Sequence, residues 1–177
     1  MWYSISMETW DTIRSRRNVR SFEDRAIDPE VLDRICEAAR RTPSSMNQQA
    51  WDFVVVTDRE RLRELSKVWS YADHVAGSAA TIALIAPLSD DTDTRETYQF
   101  DMGQASMSIM LAAADAGVGS CHAAVADQDL ARALLGLPPD RECMWLISLG
   151  HPAERALAPI ERPTRRPFDD VVHRERW

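Results

Sequence analysis

The chain has 177 residues, a net charge of −7 and an isoelectric point near 5.1, and this acidity argues against non-specific nucleic-acid binding. Its cysteines are odd in number and lack C-x-x-C spacing, which argues against a zinc site, and no apolar run approaches the roughly 18 residues of a membrane span. We therefore expect a single domain over residues 1–177, located in the cytoplasm, with no nucleic-acid or membrane partner.

The first predicted helix runs from Met7 to about residue 16 and leads into an arginine segment, which we define as residues 15–22. This segment places Arg16, Arg17 and Arg20 close together in an acidic chain. Arginine presents a fixed fork of donors that fits two phosphate or carboxylate oxygens at once, so the segment is suited to a small anion. Cations are also favoured near helix C-termini, so a solvated helix end is the alternative interpretation.

A second predicted helix has Asp28 as its N-cap and Pro29 as its first residue, and it should end near Arg41. A polar loop, residues 42–51, follows and leads into an apolar run over residues 52–57 that predicts a strand buried on both faces. Uncharged polar groups of such a loop can bond the ring nitrogens and carbonyls of a ligand. The alternative is that its serines and asparagine only cap a turn.

The middle of the chain predicts two helices and a strand. Thr57 and Glu60 have the spacing of a capping box that opens one helix, and residues 79–87 predict a second buried strand. Residues 89–94 are acidic and predict a solvated loop. The longest helix should then run from about residue 96 to 116, and its small, uncharged residues predict burial both in the core and in a subunit interface.

The last part of the chain predicts two strands, one helix and a tail. Strands are expected over residues 119–125 and 143–150, separated by a helix that Asp127 caps and Gly136 ends. The tail contains several prolines and a second arginine cluster, and it closes with strand-like residues 171–177. We expect this tail to pack against another surface, because an unpartnered tail is more often polar and frayed.

Familiar catalytic motifs are absent from the sequence. There is no P-loop, no G-x-S-x-G and no H-E-x-x-H, and the four histidines have no i,i+4 partners that would indicate a metal. Cys121, the best thiol candidate, is more typical of a small apolar strand residue. Two cation clusters and a polar loop without proton-transfer groups point toward an anionic cofactor that carries the chemistry itself.

Four stretches, in this order, resemble motifs of the nitroreductase family that depends on flavin mononucleotide (FMN). They are residues 13–22 (IRSRRNVRSF), residues 43–51 (PSSMNQQAW), the long helix leading into residues 117–121 (GVGSC), and residues 165–173 (RRPFDDVVH). The resemblance implies an α+β fold with three α/β/α layers around a central mixed sheet. It also implies a homodimer with an exchanged C-terminal arm and flavin sites at the interface.

The resemblance further implies a set of residues that bind FMN. The ribityl phosphate would be held by Arg16 and Arg165, the pyrimidine edge of the ring would lie near Arg17 or Arg20, and the polar loop would come from the partner subunit. No side chain need act as a nucleophile. The complete set of implied FMN-binding residues is Arg16, Arg17, Asn18, Arg20, Ser44, Ser45, Asn47, Gln49, Cys121, His122, Ala123, Arg162 and Arg165.

The implied reaction is ping-pong: NADH or NADPH reduces the flavin, and a small acceptor such as a nitroaromatic, quinone or enone then takes the electrons. Alternatives are a flavin-binding store or sensor without turnover, another flavin reaction such as dehalogenation or flavin breakdown, and an anion- or RNA-binding module. The sequence departs from the family pattern at Asn18, Ala50 and Pro163, where serine, proline and a basic residue are usual. Arg162 is expected to compensate for Pro163.

Overall fold

The computed structural model describes residues 8–177, so Met7, where the first helix was predicted to begin, lies outside the described residues. There are six α-helices in this part of the chain: α1 (Thr9–Ser15), α2 (Pro29–Arg40), α3 (Arg59–Leu65), α4 (Asp73–Ala76), α5 (Thr92–Asp115) and α6 (Gln128–Leu135). The four strands are β1 (Asp52–Val56), β2 (Ala80–Pro87), β3 (Gly119–Ala124) and β4 (Arg141–Gly150). Short 3-10 helices occur at Ser45–Asn47, Ser66–Val68 and Phe168–Asp170.

The four strands form one sheet in the order β1-β2-β4-β3, and all three pairings are antiparallel. The predicted mixed sheet is therefore corrected: within residues 8–177, parallel pairing is confined to one isolated bridge between Asn18 and Ser120. The prediction that β1 is buried on both faces is also wrong, because β1 is an edge strand and its Val55 is exposed. In contrast, β2 lies in the interior of the sheet and is buried along nearly its whole length, as predicted.

Helices cover both faces of the sheet, which confirms the three-layer α/β/α architecture. On one face, α2 and α5 pack on a core that includes Ile35, Ile109 and Leu149. On the other face, α3, α4 and α6 pack around Leu62 and Leu146, among others. Burial of these apolar side chains is the main favourable contribution to folding, roughly 1.5–3 kcal/mol for each large aliphatic side chain.

Local capping signals set most of the helix ends, with two corrections to the predictions. Asp28 and Asp127 cap α2 and α6 as expected, and Gly136 ends α6 with φ +66°. The cap of α3 is Asp58, which accepts a hydrogen bond from the backbone of Arg61, and the predicted capping box at Thr57 does not form. The acidic stretch predicted as a solvated loop instead opens α5, because Asp91 caps that helix from its N-terminal side.

The tail lies on the outside of the described structure. Residues 161–177 are exposed throughout, and the strand predicted for residues 171–177 does not form. Apolar side chains such as Phe168, Val171 and Trp177 are therefore left uncovered in the single chain. Across the described residues, no helix combines the length and the apolar character that a membrane span requires.

Candidate functional site

The arginine segment lies along the exposed edge of β3 and is held there by backbone hydrogen bonds. The amide of Val19 donates to the carbonyl of Ser120 at 2.9 Å, next to the bridge between Asn18 and Ser120. Further along, the amide of Glu23 donates to the carbonyl of His151 at 2.8 Å. These bonds fix the backbone from which the three arginine side chains project.

Two glycines allow this close approach to the sheet. A Cβ atom added at Gly119 would lie 2.8 Å from the side chain of Val19, and one added at Gly150 would lie 2.7 Å from the ring of Phe22. Real Cβ atoms essentially never approach so closely. Val19 and Phe22 are thus apolar anchors that the sheet accepts because two of its residues lack side chains.

Arg16 and Asn18 open onto a cavity of about 460 Å³ between the sheet and α5. Arg16 donates to the side-chain oxygen of Asn18 at 3.2 Å and contacts the sulfur of Met110 at 3.8 Å. The remaining lining residues are Gln99, Gly103, Ser106, Met107, His122 and Trp145. The cavity therefore combines a cation with apolar and small polar surfaces, a composition typical of ligand pockets.

Arg20 opens onto a larger cavity of about 810 Å³ that shares His122 and Trp145 with the first. Its other lining residues are Trp69, Ser70, Tyr71, Asp73, His74 and Ala124. The rings of His122 and Trp145 meet edge to face, with centroids 5.9 Å apart, and so stand between the two cavities. Both cavities therefore combine a cation with aromatic surface.

Arg17 faces a third, smaller cavity of about 270 Å³ together with Ser21, Pro152 and Glu154. One guanidinium nitrogen, Nη2, donates to the carbonyl of Arg155 at 2.7 Å, whereas Nη1 is buried without a partner among the described residues. Burial lowers the pKa of Arg17 below its ordinary value, and the neighbouring charge of Arg155 lowers it further. A buried donor without an acceptor is costly, which makes this atom a candidate contact for a ligand oxygen.

The three arginines also lack carboxylate partners. Within residues 8–177, no Asp or Glu oxygen lies within 4.0 Å of the guanidinium groups of Arg16, Arg17 or Arg20, although the chain is acidic overall. By contrast, Arg14 at the end of α1 pairs with both Asp11 and Glu161. The positive charge of the arginine segment is therefore not neutralised by direct contact with a carboxylate in this part of the chain, and the small-anion interpretation stays a prediction.

β3 contributes one accessible side chain of the three predicted. His122 is exposed between the cavities, whereas Cys121 and Ala123 point away and are fully buried. Burial raises the pKa of the Cys121 thiol, so that it stays protonated despite the nearby arginines. Partial desolvation of the His122 ring lowers its pKa, and the charges of Arg16 and Arg20 lower it further. Only backbone groups of Cys121 and Ala123 can contact a ligand.

The polar loop lies on α5 and lines none of the three cavities of its own chain. The amide of Ser45 donates to both carboxylate oxygens of the buried Asp101, at 3.1 and 3.2 Å. Three non-glycine residues of the loop have positive φ: Met46 (50°), Asn47 (55°) and Gln49 (52°). Such strained backbone persists when its surroundings fix it, and it is concentrated at functional sites.

The remaining predicted residues are not brought to the cavities within one chain. Ser44 accepts from the amide of Gln49 within the loop, so the turn-capping alternative describes Ser44 in this chain. Arg162 and Arg165 lie on the exposed tail, where Arg165 donates to the carbonyl of Thr164 at 2.8 Å. Neither arginine lines a cavity of the arginine segment.

The sequence interpretation missed the residues that the second cavity takes from the turn around α4 and from β4. These are Trp69, Tyr71, Asp73, His74 and Trp145, which lie far from the arginine segment in the chain. The number of tryptophans was a signal that some line a pocket, but no local pattern identifies which ones. Antiparallel pairing of β3 with β4 places Trp145 opposite Ala124 and so brings it to the site.

Burial of His74 should make the stability of the protein depend on pH. His74 is 6% exposed, and burial together with Arg20 and His122 lowers its pKa to about 4 from an ordinary 6.5. The unfolded chain therefore binds this proton more readily, and the stabilisation present above pH 6.5 is lost as the pH falls toward 4. The difference in pKa corresponds to about 3 kcal/mol.

We expect urea unfolding curves recorded between pH 7 and pH 4 to show this loss in the wild type. In His74→Gln, which cannot take up the proton, the part of the loss that His74 causes should be absent. Parallel pH dependence in the two proteins would contradict the assignment.

Comparison with known proteins agrees with the fold. The model of the Nitroreductase family matches residues 13–73 and 67–151. A protein of Archaeoglobus fulgidus, named for NADH dehydrogenase/NAD(P)H nitroreductase activity, is 31% identical over 169 residues, covering 93% of this chain and 96% of its own. These matches include the arginine segment, the polar loop and β3.

Solved structures show the same likeness. A protein of Clostridium acetobutylicum named for NADH oxidase activity aligns with a TM-score of 0.84 and 26% identity, covering 94% of this chain and all of its own. An FMN-dependent nitroreductase of Clostridium difficile aligns with a TM-score of 0.81 and 25% identity, covering 94% of this chain and 98% of its own. The chain described here belongs to the nitroreductase family.

Proposed function

We propose that this chain is an FMN-dependent oxidoreductase that takes a hydride from NADH or NADPH and passes the electrons to a small acceptor. The observation that carries the proposal is the arginine segment: its three arginines have no carboxylate partners among the described residues, and two of them, Arg16 and Arg20, line cavities that share the His122–Trp145 pair. The relatives named for NAD(P)H nitroreductase and FMN-dependent activity support the same cofactors. Acceptors of the proposed class are nitroaromatics, quinones and enones.

The residues present fit an anionic flavin. The buried Nη1 of Arg17 lacks an acceptor, and Arg16 faces a cavity lined by methionine and aromatic side chains that suit a flat ring system. Arg16 would hold the phosphate, and Arg165 and Arg162 of a C-terminal arm would assist it. Arg20 would place positive charge near the pyrimidine edge of the ring. Positive charge there favours the reduced, anionic form of a flavin, whose N5 accepts and releases the hydride.

Residues of this chain would act by positioning and electrostatics. The backbone bonds that fix residues 18–23 against β3 and the residues after β4 would keep Asn18, Arg20 and His122 in place without further ordering. His122, whose pKa is lowered, would stay neutral beside the two arginines and add no competing charge. Cys121 and Ala123 would contribute backbone groups of β3 to the wall of the site.

We infer a homodimer in which each site receives the polar loop of the partner. The loop does not reach the cavities of its own chain, and Met46 is 87% exposed within it. Trp10 and Phe100, on α1 and α5, are also exposed, and the tail leaves further apolar side chains uncovered. A second copy would cover these surfaces and supply Ser44, Ser45, Asn47 and Gln49 to the flavin.

We further infer that residues 1–177 form one domain that works in the cytoplasm without a nucleic-acid or membrane partner. One sheet, with helices on both of its faces, supports the single domain. All three cysteines are unpaired, which suits a reducing compartment.

The proposed function predicts that the purified protein is yellow, or becomes so with added FMN, and that anaerobic NADH or NADPH bleaches it. Absorbance spectra recorded before and after each nucleotide measure both steps, and dithionite serves as the control for complete reduction. Bleaching by dithionite alone would contradict the oxidoreductase and favour a flavin store or sensor. A protein that stays colourless with excess FMN would contradict the cofactor itself.

A further inference from the structure

A chain of three groups lies behind the cavity of Arg20. The Nδ1 atom of His74 is 2.7 Å from the hydroxyl oxygen of Ser148, and that hydroxyl is 3.1 Å from the carbonyl oxygen of Cys121. Ser148 is fully buried and His74 is 6% exposed. Neither side chain is near the arginine segment in sequence, yet His74 lines the same cavity as Arg20.

The hydrogen positions in this chain follow from the chemistry of its members. A carbonyl oxygen can only accept, so the single hydrogen of the Ser148 hydroxyl must point to Cys121 if both contacts are hydrogen bonds. The hydroxyl oxygen then accepts from His74, which requires a hydrogen on Nδ1. Because burial keeps the His74 ring neutral near pH 7, its Nε2 atom is an unprotonated acceptor.

This acceptor has no partner within residues 8–177, where the only hydrogen bond of the His74 side chain is the one to Ser148. The cavity thus presents a neutral acceptor from His74 and donors from Arg20. A complementary ligand edge carries an N–H group next to a carbonyl or anionic oxygen. Cyclic imides have this edge, and the ring of FMN carries one N–H between two carbonyl oxygens.

We propose that His74 Nε2 accepts a hydrogen bond from the imide N–H of the flavin, and that Ser148 is a positioning residue that fixes the His74 tautomer. This inference rests on the proposed FMN site and adds a binding residue from α4 and a positioning residue from β4. Asp73 also lines the cavity and carries acceptor oxygens, but it is exposed to solvent. His74 is only 6% exposed, so less water can replace a lost ligand partner there than at Asp73, and leaving its acceptor unpaired costs more.

The first test measures binding of FMN and of N3-methyl-FMN by quenching of flavin fluorescence. The methylated compound lacks the imide hydrogen, and we expect the wild type to bind it about tenfold more weakly than FMN. His74→Leu should bind both alike, His74→Gln should keep the preference through its side-chain oxygen, and Asp73→Asn should keep it as the matched control. Leucine is similar in bulk to histidine, so a preference that persists in His74→Leu would be steric and would overturn the proposal.

The second test reads the tautomer directly and does not depend on the flavin. In the ¹⁵N NMR spectrum of the wild type at pH 7, His74 should carry its proton on Nδ1, and Ser148→Ala should lose this preference and part of the discrimination. A proton on Nε2 in the wild type would overturn the assignment. Equal binding of the two flavins by the wild type would remove this inference alone, whereas no binding of FMN would remove the proposed function with it.

Discussion

Replacing Arg16 with alanine is expected to weaken FMN binding by about tenfold to a hundredfold, the effect of losing a charge-assisted bond to a phosphate. Arg16 has no carboxylate partner among the described residues, and its contacts are to Asn18 and Met110. Its removal therefore leaves no buried acid unpaired, and the thermal midpoint of the apoprotein should change little. Equilibrium dialysis or fluorescence titration with FMN measures the effect.

Arg25→Ala is the matched control for Arg16→Ala. Arg25 lies only a few residues after the arginine segment, is exposed, and forms no ion pair within 4.0 Å in the described chain. The substitution removes the same charge from the same region, so any long-range electrostatic contribution would appear in both variants. Equal losses in the two variants, or full flavin occupancy in Arg16→Ala, would show that Arg16 does not hold the phosphate.

Replacing Gly119 with alanine is expected to destabilise the protein by about 1–3 kcal/mol, the usual cost of overpacking, and to weaken FMN binding together with stability. The added Cβ would meet the side chain of Val19 at 2.8 Å. Val19 must then move outward. This movement lengthens the hydrogen bond from its backbone amide to the carbonyl of Ser120 and displaces the neighbouring Asn18 and Arg20. Urea unfolding and FMN titration of the same preparation measure the two effects.

Gly77→Ala separates the steric effect from the general effect of removing a glycine. Nothing lies within 4 Å of a Cβ placed at Gly77, and its φ of −93° suits any residue. Alanine there should leave FMN binding unchanged and be neutral or slightly stabilising. If Gly119→Ala behaved in the same way, the segment would not depend on close packing against β3.

Local signals in the sequence predicted much of the fold. The ends of α2 and α6 are examples. Asp28 and Pro29 begin α2, and Asp127 and Gly136 bound α6. These residues act on backbone groups close to them in the chain, so a short stretch of sequence is enough to predict their effect. The position of β1 at the edge of the sheet was not predictable in this way. The apolar run that forms β1 looks the same in the sequence whether the second face of the strand is covered by this chain or by another chain.

The site was predictable in part for the same reason. Arg16, Asn18, Arg20 and His122 were identified from the sequence and do line cavities. The assignment of Cys121 and Ala123 to the same wall ignored the alternation of side chains along a strand, which turns both of them into the core. His74 and Trp145 were missed because they reach the cavity only through the packing of α4 and the pairing of β4 with β3.

The contacts that hold the arginine segment in place are made by residues that are synthesised much later than the segment itself. The ribosome produces the three arginines early, but the backbone and glycine contacts that hold them belong to residues 119, 120 and 150–153. Such pairings close a loop of more than a hundred residues and are slow to form. A nascent chain that ends before β3 therefore carries the three arginines without any of these contacts. The complete set forms only after residue 153, so a bound anion can stabilise only a nearly complete chain.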